Sequence, residues 1–198
     1  MSQTARKTAS SRPNGRVIIY AALSLVVVAV IVAIGLLNRS SVPNAASNAP
    51  IQANLKVGDT APPFSVKTNA GPFELSAVSS PVLLEVFATW CPHCQRETPV
   101  LNQIAAKYQG KIAMVAVSGS PNAINGNDPE SQADVNAFGQ QFDVRYPIAY
   151  DPTLDVAQKY LKNGFPTLVM IDRNKKVVWM TSGETAQAEI EKAIKMTL

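Results

Sequence analysis

The sequence predicts an α/β sandwich with one mixed sheet behind an amino-terminal transmembrane helix, and three observations carry that expectation. One uncharged apolar run occupies residues 17–37. Beyond residue 55, short apolar runs rich in β-branched side chains alternate with segments whose apolar residues recur every three or four positions. The last two strand-like runs flank a tight polar connection and so form an antiparallel hairpin, whereas the earlier ones follow a β-α-β order. The 198 residues allow one compact domain plus extensions, and no internal repeat is present.

Val17–Leu37 reads VIIYAALSLVVVAVIVAIGLL. At about 1.5 Å per residue this helix is about 31 Å long, matching a hydrocarbon core of about 30 Å. It is apolar on every side, more than a single domain of about 150 residues has the interior to bury. Arg6, Lys7, Arg12 and Arg16 precede it and only Arg39 follows closely. That asymmetry makes residues 1–16 a cytoplasmic basic tail and puts everything after Leu37 on the far side of the membrane. A cleaved signal peptide is the competing reading, since Ala45-Ala46-Ser47 suits a signal peptidase, but the apolar stretch exceeds the usual length of about 7–15 residues. Either way the domain is exported. Residues 38–54, rich in Ser, Asn, Ala and Pro, read as a flexible tether, and 55–198 as the folded domain.

Charge and ligand counts exclude whole classes of function. The chain carries 18 basic and 14 acidic residues, a net charge of +4, but five of the basic residues and none of the acidic ones lie in the first 50. The remainder holds 13 basic against 14 acidic residues, which removes the electrostatic support for nucleic-acid binding. With only Cys91, Cys94 and His93 available, a closed four-ligand Cys/His zinc site within one chain and a disulfide scaffold are both excluded. No metal and no cofactor is expected.

The elements of the domain follow in order. Short segments at Phe64–Val66 and Phe73–Leu75 form an added hairpin. Pro81–Ala88 is a strand buried on both faces, and Pro92 to about Gln109 is a helix with Val100, Leu101, Ile104, Ala105 and Tyr108 on one side and Gly110 as its stop. Lys111–Ser118 is a second buried strand, and Gly119–Pro129, with its Asn-Gly and Asp-Pro pairs, is a loop. Glu130–Phe142 is a helix, Tyr146–Tyr150 a short strand and Thr153–Leu161 a helix. Thr167–Asp172 and Val177–Thr181 make the hairpin around Arg173–Lys176, and Thr185 to about Lys195 closes the chain as a helix.

The chemistry concentrates in Trp90-Cys91-Pro92-His93-Cys94, where the buried strand gives way to the helix. Free N–H groups and the positive end of the dipole at a helix amino terminus stabilise a Cys91 thiolate, the form that attacks disulfides. Cys94, one turn on, faces the same side. A static disulfide over so short a loop removes little entropy from the unfolded chain, so the spacing favours a redox pair. Copper is a weaker alternative, because no further His or Cys completes a site around these residues.

Further residues extend the pattern. Glu85 lies six residues before Cys91 within the buried strand, Pro99 five residues after Cys94, and Gly164-Phe165-Pro166-Thr167 directly before a strand. With the cysteine pair and the run Cys94-Gln-Arg-Glu97-Thr-Pro99, residues from about 55 to 198 resemble the TlpA/ResA-like membrane-anchored thiol–disulfide oxidoreductases, part of the superfamily that includes the redoxins. The resemblance implies a thioredoxin-like sandwich with a central mixed sheet. It implies that Cys91 and Cys94 form the redox disulfide and that Glu85, its pKa raised by burial, exchanges a proton with Cys94. Pro166 is expected cis, with Thr167's backbone beside the sulfurs and Phe165 as an apolar contact for substrate. Trp90 shields the site, and Pro92 and His93 lie inside the motif, His93 placed to give a hydrogen bond or positive charge to the Cys91 thiolate.

The implied partners are a protein disulfide or dithiol substrate and a membrane thiol-redox protein that recycles the cysteines. The implied direction is reductive, as in cytochrome c maturation or thiol repair. A disulfide-forming oxidase is the alternative, because Cys-Pro-His-Cys is also the motif of the strongly oxidising DsbA. A non-enzymatic, membrane-tethered domain that holds metal or a partner is the alternative of another class. A peroxidase of the peroxiredoxin type is suggested by the opening Lys56–Phe64. It would need a threonine three residues before the reactive cysteine, whereas Thr89 lies two before and a second cysteine follows within the motif.

Overall fold

The computed structural model describes residues 52–123 and 129–198. The expected tail 1–16, the membrane span 17–37, most of the tether 38–54 and positions 124–128 of the expected loop lie outside the described residues, among which no helix is long and apolar enough to cross a membrane. The elements are β1 (Ser65–Thr68), β2 (Gly71–Glu74), a 3-10 turn (Leu75–Ala77), β3 (Val82–Phe87), α1 (Pro92–Lys107), β4 (Ala113–Ser118), α2 (Gln132–Gln141), β5 (Ile148–Tyr150), α3 (Asp155–Tyr160), β6 (Thr167–Ile171), β7 (Val177–Ser182) and α4 (Gln187–Lys195). The strands form one seven-stranded sheet in the order β2-β1-β5-β4-β3-β6-β7. β3 runs parallel to β4 and antiparallel to β6, so the sheet is mixed, as the order of elements predicts.

All six residues of β3 are buried, and their alternation sorts them onto two cores. Leu83 and Phe87 pack with Leu101 and Ile104 of α1, Phe138 of α2 and Ile190 of α4. Val82, Leu84 and Val86 pack on the other face with Val156, Ala157 and Tyr160 of α3. Glu85 shares the period-two face of Leu83 and Phe87, which directs it toward α1. α1 begins with Pro92 at its first position, where the missing N–H costs no helical bond, and Cys91 is the N-cap.

Several boundaries differ from expectation, each for a local reason. The first hairpin sits at β1 and β2 because the Thr68 hydroxyl donates to Gly71 O at 2.7 Å and Gly71 takes φ +117°, while Leu75 enters the 3-10 turn. β5 is shorter than Tyr146–Tyr150 because Pro147 has no N–H to offer, although its carbonyl accepts from Ala116 N at 2.9 Å. α2 starts at Gln132 rather than Glu130, because Ser131 and Asp134 form a reciprocal capping box. α3 starts at Asp155 rather than Thr153, since Leu154 is left-handed at φ 57° and Asp151 accepts from Val156 N at 2.9 Å. The body also takes in part of the expected tether: Ala53 N donates to Leu161 O at 2.8 Å.

Just past β4, a Cβ on Gly119 would lie 2.7 Å from Val86 Cγ1 and 2.8 Å from Ala157 Cβ, the latter an atom fixed to backbone. On Gly139 it would meet only the tip of Ile148, at 2.7 Å. Gly119→Ala is expected to destabilise the protein by about 1–3 kcal/mol through overpacking and Gly139→Ala by less. Urea midpoints of the two variants check the order, and equal losses would contradict it.

Candidate active site

Both cysteines are unbonded thiols, and Cys94 is wholly buried beneath Cys91. Cys91 is drawn down to about 6, first by the hydrogen bond from the Cys94 thiol and then by the backbone N–H groups of Cys94 and His93, against the opposing effect of burial. These N–H groups are the free donors of the first turn of α1. Burial pushes the Cys94 thiol well above its ordinary value, and the hydrogen bond to Cys91 and the charge of Glu85 push the same way. One sulfur is therefore ready as a nucleophile, and the other keeps its proton until a base removes it.

Across from Cys91 the chain turns through a cis Phe165–Pro166 bond, and the Cys91 thiol lies 3.6 Å from the Phe165 carbonyl oxygen. Thr167 is a correction to expectation. It is fully buried in β6, paired with Val86 and Ser182, and its hydroxyl donates to Gly164 O at 2.8 Å, so it holds the loop together. The backbone group beside the sulfur belongs to Phe165. Trp90 stacks edge-on against the Phe165 ring at 6.0 Å and covers one side of the site while staying 38% exposed.

His93 meets its expected role only in part. Its Nδ1 lies 2.5 Å from Glu184 Oε1 and 2.9 Å from Arg96 Nη2, so the ring engages an exposed ion cluster rather than the Cys91 sulfur. Its charge is the smallest of the influences that lower Cys91, and its backbone N–H outweighs it.

Glu85 lies where its strand position directs it, buried beneath α1, with the Tyr146 hydroxyl donating to Oε2 at 3.2 Å. Burial pushes its carboxyl up to about 8, the Tyr146 bond opposes this, and the charges of Glu97 and Cys91 add to it. Two further buried acids lie at the site: Glu97, which the sequence marks only as part of the run after Cys94, and Glu130, which it does not mark as a site residue. Glu97, three residues after Cys94, accepts from Thr185 N at 2.9 Å, leaves Oε1 unpartnered, and is pushed up to about 7 by burial. A glutamate among the buried positions of a helix was a signal available from periodicity. Glu130 accepts from both the N–H and the hydroxyl of Thr89, at 3.0 and 2.6 Å, and burial raises its pKa. It sits in a loop 41 residues from its partner, where no periodic signal exists. Ser120, in the same connection, accepts from Trp90 Nε1 at 2.8 Å, and the Gln95 side chain donates to Thr89 O at 3.2 Å. The turn before Cys91 is thus gripped from both sides.

A surface pocket of about 300 Å³ lies elsewhere, between the carboxyl-terminal half of α1 and Arg145–Pro147. Of the groups around the sulfurs only Tyr146 lines it, so it is not where a disulfide would meet Cys91.

A thiol drawn down at a helix amino terminus, a buried second thiol, a buried acid below and a cis-proline loop opposite make an arrangement suited to disulfide exchange. The redoxin family profile matches residues 56–194. The chain belongs to the redoxin family. Among similar redoxins and related proteins, the thiol-disulfide oxidoreductase ResA of Geobacillus thermodenitrificans is 30% identical over 138 residues, covering 68% of this chain and 74% of that protein. The thioredoxin-like protein YneN of Bacillus subtilis is 28% identical over 145 residues, covering 72% and 81%. A crystal structure from Chlorobium tepidum, assigned as a thiol:disulfide interchange protein DsbE, superposes with a TM-score of 0.63 at 30% identity over 72% of this chain and 98% of the other. The fold is thioredoxin-like, and this redoxin is an enzyme of thiol–disulfide exchange.

The raised pKa of Glu85 makes stability depend on pH. In the folded protein its carboxyl titrates near 8 against an ordinary 4.5, so between these values the folded chain holds a proton that the unfolded chain has released. Its contribution is therefore complete below about 4.5 and is lost as pH rises through about 8. Glu85→Gln is expected to remove that loss, so that the reduced variant gains on the order of 3 kcal/mol over wild type between acid and mildly alkaline pH. Urea titrations across this range check it, and parallel wild-type and variant profiles would contradict it.

Proposed function

We propose that this redoxin works outside the cytoplasm, held in the membrane by Val17–Leu37 with residues 1–16 inside, and reduces disulfides in proteins through Cys91 and Cys94. The observation that carries the reading is the division of labour between the sulfurs: Cys91 lowered to about 6, Cys94 buried and raised. The Cys91 thiolate attacks a substrate disulfide; one S–S bond forms, one breaks, and the first substrate sulfur leaves as a thiolate that takes a proton from water. Glu85 in its carboxylate form accepts the Cys94 proton, and the new thiolate attacks Cys91 Sγ, closing the Cys91–Cys94 disulfide and releasing the second substrate thiolate. Two electrons have passed from the cysteine pair to the substrate. A value near 8 leaves Glu85 able to take up and return a proton around neutral pH. A membrane thiol-redox partner then returns the pair to the dithiol.

The extracytoplasmic placement is supported by the uncharged span and the basic residues ahead of it. The opposite direction, oxidation of substrate dithiols, is favoured by one observation: a thiolate stabilised at Cys91 stabilises the dithiol form and makes the disulfide a stronger oxidant. Alkylation trapping in whole cells separates the two, a mostly reduced pair meaning reductase and a mostly oxidised pair oxidase.

In an insulin-disulfide reduction assay, Cys91→Ser is expected to abolish turnover. Glu85→Gln is expected to leave the first attack intact and slow release of the mixed disulfide by about tenfold or more. An unchanged release rate would leave Glu85 without a part in proton transfer. Protease added to spheroplasts is expected to remove the domain, and full protection would overturn the proposed topology.

A further inference from the structure

The turn Gly183–Thr185, which leaves β7 for α4, is anchored on both sides. Gly183 N donates to Pro166 O at 2.8 Å, and Thr185 N donates to the buried Glu97 Oε2 at 2.9 Å. Gly183 takes φ +88°, a conformation that L side chains rarely adopt. Glu184, between the anchors, places its Oε1 2.5 Å from His93 Nδ1 and 2.9 Å from Arg96 Nε, with Arg96 Nη2 also in contact. Both of these side chains stand on the first turns of α1, the helix that begins at Cys91. Among the described residues neither has another acidic partner.

We propose that Glu184 sets the redox poise of the Cys91–Cys94 pair by drawing the His93 ring and the Arg96 guanidinium into one ion cluster and offsetting charge that would otherwise stabilise the Cys91 thiolate. The inference rests on the exchange reading given above. The charged and titratable groups facing Cys91 are His93, Arg96 and Cys94 from α1, Glu85 from β3 and, through its two partners, Glu184 from the turn after β7. Arg96, and then His93, hold the Glu184 carboxyl down to about 2, so it is an anion wherever the cysteines exchange. A thiolate exists only in the dithiol form, so any charge that stabilises it shifts the equilibrium away from the disulfide and makes the couple more oxidising. Glu184 works against that shift and holds a Cys-Pro-His-Cys pair toward the reducing side.

The test is a glutathione-equilibrium titration of the full chain as wild type, Glu184→Gln, the His93→Ala/Arg96→Gln double variant and the triple variant. Glu184→Gln is expected to favour the dithiol at least about threefold over wild type, equivalent to about 14 mV. The shift should fade near 1 M salt, where the Debye length falls to about 3 Å. In the background lacking the His93 ring and the Arg96 guanidinium, adding Glu184→Gln should change nothing. An unchanged constant, a shift toward the disulfide, a salt-independent shift or the same shift in the double-variant background overturns the proposal, because the cluster is then decoration or acts through packing. Failure of the wild-type chain to form a Cys91–Cys94 disulfide with glutathione, read by mass, overturns the exchange reading as well. A normal wild-type titration without a Glu184 effect overturns this proposal alone.

Discussion

A carboxylate in a strand buried on both faces is the constraint around which this molecule is arranged. Glu85 has parallel and antiparallel neighbours on either side and α1 above it, so water cannot solvate its charge. An isolated ionised carboxylate in such a place costs several kcal/mol, and the chain meets that cost by raising proton affinity and supplying one hydroxyl, that of Tyr146. The same burial keeps Cys94 protonated. Two groups that each resist ionisation lie close enough for the charge of one to act on the other.

The nucleophile stands at the edge of this dry region rather than inside it. Cys91 precedes the first turn of α1, whose unpaired N–H groups supply fixed positive ends without a mobile side chain. Three chain segments frame it: the connection holding Ser120 and Glu130, the cis Phe165–Pro166 turn, and the Gly183–Thr185 turn. The first two fix the path of the backbone around the sulfur, while the third supplies a charge. Rigid donors set the chemistry of the sulfur, and exposed side chains adjust it.

The parts of the site that sequence reasoning reached are those confined to one short stretch or one periodic element. The cysteine pair at a strand-to-helix junction, the acid within an apolar strand and the proline before another strand each declare themselves locally. Tyr146, Glu97 and Glu130 did not, and the reasons differ. Glu97 lies on a helix face whose other buried residues are mostly apolar, so its burial was open to inference from spacing. Tyr146 and Glu130 lie in irregular segments and acquire meaning only through partners at Glu85 and Thr89, far away in the chain. His93 acts on Cys91 through its backbone N–H and, least of all, through its charge, because at the second position of a helix its side chain projects outward, to Glu184 and Arg96.

By itself, the sequence determined the fold class, the order of the strands and helices, and the residues able to exchange a disulfide, because hydrophobic period, turn residues and thiol spacing are properties of neighbouring positions. Element ends shifted wherever a cap, a proline or a left-handed residue decided them, as at Ser131, Pro147 and Leu154. Only the tertiary structure decided which carbonyl faces the sulfur, which acids share the buried space, and which way His93 turns. Those outcomes depend on desolvation and on charges brought together from β3, α1 and the turn after β7, and neither quantity exists until the sheet and helices have closed over one another.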